Sequence, residues 1–331
     1  MQSVTQKALA VVRTIAPFAA GGSSSTSSTA SGFPNSSRIA AFSGQPPGIS
    51  FDQRTVVRSG GETLLGFEVM AAWEVLAVRF GSRVTTRSDY YLRFQTYDEP
   101  DGPLPMDYFF WVLRGPEETI LVDTGWDPAA AARRGRTSHL GPLHAMELLG
   151  IRPNAISRLV LTHLHWDHAG NVGAFPNARI LVQERELEFW GSSMGRRLQF
   201  SVHAEEDDID HVLQADRDGR VQRLQGDAEL APGVQARLVG GHSAGQLILV
   251  VETASGPVVV ASDAIHYYEE MERDWPCSIV VDVPETYTGY ELLRELAANG
   301  PTRIVAGHDP LVLDRFPRVE GELSEHAVCL R

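Results

Sequence analysis

Leu161-Thr-His-Leu-His-Trp-Asp-His-Ala-Gly-Asn171 sets three histidines and an aspartate into six consecutive positions, as His163, His165, Asp167 and His168. Imidazole and carboxylate are the donors that borderline divalent ions such as zinc prefer. The run before them, Ile156 to Leu161 with Leu-Val-Leu at its centre, reads as a short buried strand. Past a strand end the chain turns. His163, His165 and Asp167 stand at alternate positions, so extended or turning backbone can aim two donors at one point. Asp167 and His168 are adjacent, and neighbouring side chains diverge, which suits a second ion beside the first. Ala169 and Gly170 let the backbone pass close to the cluster. With 11 histidines in 331 residues, a chance polar loop is a poor account of this density.

The same design recurs along the chain. His242 lies in Gly-Gly-His-Ser-Ala-Gly after the strand-like stretch Val234 to Val239. Asp263 ends the run that begins Pro257-Val-Val-Val, and His308 lies in Ala-Gly-His-Asp-Pro after Arg303-Ile-Val-Ala. Singly, each is more simply a structural residue. Jointly they repeat strand then donor loop, which is how a sheet gathers distant residues at one edge. Seven donors exceed the need of one zinc ion and suit two, if one carboxylate bridges.

The pattern His-x-His-x-Asp-His, followed by His, Asp and His apart, resembles the metallo-β-lactamase superfamily in its dinuclear hydrolase branch. Asp107-Tyr-Phe-Phe-Trp-Val-Leu-Arg, Glu118-Thr-Ile-Leu-Val-Asp-Thr-Gly-Trp and Thr162-His-Leu-His-Trp-Asp-His-Ala-Gly-Asn narrow this. They resemble the N-acyl-homoserine lactonase family, from about Trp73 to Pro317. The resemblance implies an α+β chain with the four-layer αββα metallo-β-lactamase fold. It implies two divalent ions per chain, zinc first, with manganese, iron or cobalt as substitutes. His163, His165 and His242 would hold one ion, Asp167, His168 and His308 the other, and Asp263 would bridge them. Asp123, also at a strand end, would orient a metal-bound histidine from outside.

The implied activity is the opening of a lactone ring, above all in N-acyl-homoserine lactones, which quenches a quorum signal. A hydroxide shared by the two ions attacks the carbonyl, and no protein nucleophile is needed. Another dinuclear hydrolase, such as a glyoxalase II-like thioesterase or a hydrolase of a different cyclic ester or amide, would share all seven donors. Only the substrate wall would separate the two. One residue departs from the family pattern. Best-known lactonases of the family carry a tyrosine three residues after the bridging aspartate, where this chain has His266, with Tyr267 next to it. Asp167, Asp263, His266 and Tyr267 are therefore the catalytic candidates. A rival signal, Gly241-His-Ser-Ala-Gly245, matches a serine-hydrolase nucleophile elbow, but that motif needs a helix after it. Here Gln246-Leu-Ile-Leu-Val-Val follows and reads as a strand.

Composition fits one hydrolase domain over residues 71–331, with 43% hydrophobic residues to form its core. The net charge of −13 argues against an electrostatic grip on nucleic acid. Cys277 and Cys329 are too few and too far apart for a disulfide framework. No apolar run approaches the ~18–20 residues of a membrane span. The expected partner is a small lactone, with no nucleic acid or membrane, a homodimer left open, and a cytoplasmic location. Residues 1–70 read as a disordered tail: no acid precedes Asp52, and Gly21 to Gly32 is rich in Ser, Thr and Gly. Apolar residues 8–20 raise an export signal, which Arg13 interrupts; a true start at Met70 would look the same.

Strand signals cover Glu74 to Phe80, Phe109 to Leu113, Thr119 to Val122, Arg158 to Leu161, Arg179 to Val182, Leu247 to Val251 and Val258 to Ala261. Helical patterns cover Pro142 to Leu149 and Tyr287 to Ala298. Residues 184–220 read as an insertion whose apolar part, with Phe189 and Trp190, walls the pocket. Its acidic run Glu205 to Asp210 reads as a solvated helical face.

Overall fold

The computed structural model describes residues 72–300 and 302–331, together with the backbone of two short upstream strands, β1 (Thr55–Val57) and β2 (Thr63–Leu65). The chain divides into two units, Met1–Leu65 and Gly66–Arg331. In the first, β1 and β2 pair antiparallel with Val56 opposite Leu64. The rest of residues 1–70, expected to be a disordered tail, lies outside the described residues. Thr-Val-Val and Thr-Leu-Leu flank Ser59-Gly-Gly, and β-formers on both sides of such a run favour a hairpin.

In the second unit, β3 (Glu74–Thr86) and β4 (Pro103–Arg114) pair antiparallel along their full lengths. Side chains alternate across a strand. Leu76, Val78, Phe110 and Val112 thus face one apolar cluster, and Val75, Ala77, Phe109 and Trp111 face another. The sheet continues through β5 (Thr119–Val122), antiparallel to β4, with the two-residue β6 (Thr137–Ser138) on β3. Strands β7 (Arg158–Val160), β8 (Arg179–Gln183) and β9 (Val221–Leu224) then follow in parallel.

A second, five-stranded sheet holds β10 (Ala228–Ala231), β11 (Val234–Leu238), β12 (Leu247–Thr253), β13 (Gly256–Ser262) and β14 (Arg303–Ala306), in that order. Its pairs are antiparallel except β13 with β14. The last strand, β15 (Ala327–Leu330), returns to the edge of the first sheet beside β3. Val75, Trp111, Val122 and Val160 from one sheet and Ala236, Leu249, Val258 and Val260 from the other share one core. On the far side of the first sheet lie Ala130, Met146, Leu187, Trp190, Ile209 and Val212 from helices. Tyr290 and Leu293 of the helix Val283–Ala298 pack on the second sheet. Helix, sheet, sheet, helix is the four-layer αββα order, and its mixed sheets make it α+β.

The helix Val283–Ala298 begins a turn before the expected Tyr287. Asp282 accepts a hydrogen bond from the Glu285 amide at 2.9 Å as its cap, and Pro284 sits in the first turn. Residues 184–220 form the helices Glu184–Gly191, Leu198–Ser201 and Glu206–Arg217. In the last of these Asp207 and Asp210 are exposed, while Ile209, Val212 and Ala215 are buried. Asp208 differs from its neighbours. Burial pushes its carboxyl up to about 7, and Glu205, Asp127 and Asp207 add like charge. A carboxyl raised on folding costs stability once ionised, so this cost grows as pH rises from about 4 through about 7. Asp208→Asn should therefore raise Tm at pH 8 and leave it nearly unchanged at pH 4, as read by thermal melts.

Candidate metal centre

The parallel pairs position the site. Val122 of β5 lies opposite Val160 of β7, and Ser262 of β13 opposite Ala306 of β14, so the chain leaves each pair at one sheet edge. Past those ends come Asp123, the stretch from His163 to His168, Asp263 and His308. His242 enters from the turn between β11 and β12. Two of these departures are tight. Asp123 and Ser262 hold left-handed backbone at φ 60° and 46°, a conformation that non-glycine residues adopt chiefly where surroundings enforce it. Gly307 is required, because a Cβ there would lie 2.7 Å from an Asp263 carboxylate oxygen. At Gly241 (φ 82°) a Cβ would lie 2.6 Å from the Thr286 amide nitrogen.

All seven donors anticipated from the sequence meet here, and all are buried. Donor atoms of His163, His165, His242 and Asp263 lie within 4.8 Å of one another, as do those of Asp167, His168 and His308. Asp263 stands between the sets with one oxygen toward each. Its Oδ2 is 3.3 Å from His242 Nε2 and 3.7 Å from His163 Nε2. Its Oδ1 is 3.3 Å from His168 Nε2, and His308 Nε2 lies 3.2 Å from Oδ1 and 3.3 Å from Oδ2. His242 Nε2 and His165 Nδ1 face each other at 2.9 Å.

Outward atoms are tied down. His168 Nδ1 meets Asp123 Oδ2 at 2.7 Å, and His308 Nδ1 meets the Asp107 carbonyl at 2.7 Å. Asp123 also accepts from the amide and hydroxyl of Thr162, each at 2.8 Å, and Thr162 Oγ1 lies 2.8 Å from Ser262 Oγ. The strained Asp123 thus fixes one ring and the strand end from which the His163 loop departs.

Electrostatics favour donor forms at His163, His165, His242 and Asp263. At His168 burial is outweighed by the carboxylates of Asp263 and Asp123, which raise the imidazole well above its ordinary range. Burial, with neighbouring imidazoles adding, holds His163, His165 and His242 well below the ordinary imidazole range. They are therefore neutral, the form that binds a cation. Burial opposes charge on Asp263, but His308, His168 and His266 outweigh it and hold the carboxyl well below its usual range. Inward-facing Nε2 of His163 and His168 and Oδ1 of Asp263 are buried without a hydrogen-bond partner among the described residues. Nitrogen-rich donors with one carboxylate at the shared edge and inward lone pairs fit divalent ions of zinc's class.

Sequence reasoning missed Glu186. It is fully buried just beyond β8 and accepts from the Leu164 amide (2.9 Å), Trp190 Nε1 (2.7 Å), Ser243 Oγ (2.6 Å) and the Gly245 amide (2.7 Å). One carboxylate therefore joins the loop of His163 and His165 to the loop of His242. It also settles the rival motif, since the Ser243 hydroxyl is committed to Glu186 and the chain runs on into β12. The available signal was its position after a strand, obscured by the charged run Glu184-Arg-Glu-Leu-Glu.

His266 and Tyr267 part company. His266 Nε2 lies 3.1 Å from Asp263 Oδ2, inside the cluster. The Tyr267 hydroxyl instead donates to the Pro105 carbonyl at 2.8 Å, so the structure does not bring it to the donors. The chain turns after Asp263 and bends at His266 and Tyr267, and Tyr267 leaves on the other side. A narrow cleft reaches His165 and His242 between Phe189, Trp190, Phe200, Ile279 and Val280, with His203 at its side. The ring of His203, which stands just before the acidic run Glu205 to Asp210, lies 5.6 Å from that of His165.

Comparison with known proteins agrees with this architecture. The description of the metallo-beta-lactamase superfamily matches residues 105–308. The N-acyl homoserine lactonase AiiA of Bacillus thuringiensis subsp. kurstaki is 28% identical over 225 residues, covering 63% of this chain and 84% of that protein. The N-acyl homoserine lactonase AiiB of Agrobacterium fabrum is 31% identical over 222 residues, covering 60% and 78%. The crystal structure of a quorum-quenching N-acyl homoserine lactone lactonase superposes with a TM-score of 0.61 at 25% identity, over 73% of this chain and 94% of that one. A match across most of the αββα domain, with the donor stretch inside it, leads to one conclusion: the chain belongs to the metallo-β-lactamase superfamily.

Proposed function

We propose that this protein is a dinuclear metal-dependent lactonase that opens N-acyl-homoserine lactones. The observation that carries this reading is Asp263 with one oxygen toward each donor set. His163, His165 and His242 would hold one ion, and Asp167, His168 and His308 the other, with Asp263 shared between them. Two divalent ions, zinc foremost, would lower the pKa of water toward neutrality and polarise an ester carbonyl. The chain's residues supply the rest. Asp123 and the Asp107 carbonyl hold His168 and His308 as Nδ1–H tautomers, leaving Nε2 to face inward. Phe189, Trp190, Phe200, Ile279 and Val280 offer an apolar wall to an acyl group and keep bulk water out. Of the two residues expected to act beside Asp263, His266 is within reach, while Tyr267 steadies its loop through Pro105. Lactonase relatives support the choice of substrate. Two free cysteines, one of them buried, are consistent with a reducing, cytoplasmic setting.

A substrate panel tests the assignment. Acyl-homoserine lactones should be hydrolysed with kcat/KM at least tenfold above thioesters and β-lactams on the same metal-loaded protein. Preference for a thioester would replace the lactonase reading with the glyoxalase II-like one.

A further inference from the structure

His266 shares the anatomy of the donors it adjoins. Its ring is buried, stacks on that of His308 (centroids 5.0 Å apart, planes at 22°), and turns Nε2 to Asp263 Oδ2 at 3.1 Å. Its other nitrogen, Nδ1, faces Oε1 of Glu270 at 3.5 Å and has no hydrogen-bond partner among the described residues. Glu270 is itself buried and firmly held. It accepts from the hydroxyls of Tyr90 and Tyr290 and from the amides of His266 and Tyr267.

His266 therefore lies between two carboxylates. A neutral imidazole carries one N–H and one lone pair. In either neutral tautomer one lone pair points at a carboxylate, which is unfavourable in a buried site. A second proton or a metal ion on Nε2 removes the conflict, and with the ion in place Nδ1–H turns to Glu270 as His168 turns its own to Asp123. His266 lies in one donor group with Asp263 and His308 and in another with His242 and Cys277. We infer that His266 is an eighth protein ligand of the centre, beside Asp263, and that Glu270 positions its ring. The inference rests on the dinuclear reading above. It gives His266 a part through the ion in place of direct contact with the substrate.

The test measures metal binding, apart from turnover. Wild type, His266→Phe, His266→Tyr and Glu270→Gln are titrated with zinc against a chromophoric chelator, and their cobalt forms are examined by visible absorption. Both His266 variants should bind the first ion normally and the second more weakly by over ~10–100-fold, the loss usual for an outer partner, with altered cobalt bands. Glu270→Gln should weaken the second ion within that ~10–100-fold range. Circular dichroism of the metal-free proteins identifies a variant that has failed to fold, and the remaining His266 variant then decides. Two ions bound at wild-type affinity with unchanged cobalt bands in a folded His266 variant would overturn the inference and leave His266 a substrate contact. Wild type binding fewer than two ions would instead overturn the dinuclear reading itself.

Discussion

Asp263→Ala should abolish measurable lactone turnover and lower bound metal from two ions per chain to one or none. Asp263 lies within 3.7 Å of His163, His168, His242, His266 and His308. Among the described residues it is the only carboxylate placed between the two donor sets. Losing an outer carboxylate such as Asp123 is expected to cost ~10–100-fold in metal affinity or rate. Losing Asp263 should cost more, because it removes the carboxylate that the two donor sets share. Asp263→Asn keeps the shape but withdraws the charge, and should behave like the alanine variant. Elemental analysis beside steady-state kinetics separates the outcomes: a variant with two ions and near-normal kcat would show that Asp263 does not join the two sets.

The second large effect is on stability. Glu186→Ala should lower Tm steeply and yield little folded protein, although Glu186 touches none of the seven donors directly. Its removal orphans two backbone amides, an indole N–H and a hydroxyl in a closed interior. Each unsatisfied buried group costs about 1–3 kcal/mol, against about 5–15 kcal/mol for a whole domain. Glu186→Gln should be intermediate, because its amide nitrogen cannot accept from the Leu164 or Gly245 amide. Thermal melts of the metal-free variants measure this, and an alanine variant as stable as wild type would remove Glu186 as the joint between the loops.

The donors were legible because they obey two local rules. His163 to His168 crowd into one short stretch, and His242, Asp263 and His308 each follow a β-forming run, so spacing and strand ends were enough. Strands such as Thr119–Val122 and Arg303–Ala306 matched because their apolar runs stop at turn residues. What was missed depends on tertiary placement. Strand β3 runs past Phe80 through polar Ser82 and Arg83 because β4 pairs with it to Thr86, beyond a register shift at Gly81. Nothing local marks that extension. β9 (Val-Gln-Arg-Leu) and β10 (Ala-Glu-Leu-Ala) are broken by polar residues and present no continuous apolar run. Tyr267 carries suitable chemistry, but backbone direction past Asp263 sends its hydroxyl to Pro105. Glu186 and Glu270 look like ordinary acids of a charged helix, and only burial reveals that each gathers several donors.

Metal stoichiometry of the active, unmodified protein tests the central claim most directly. The account predicts close to two divalent ions per chain by elemental analysis, lost together with turnover on chelation and regained together on adding zinc. Full activity with one ion or none per chain would contradict it.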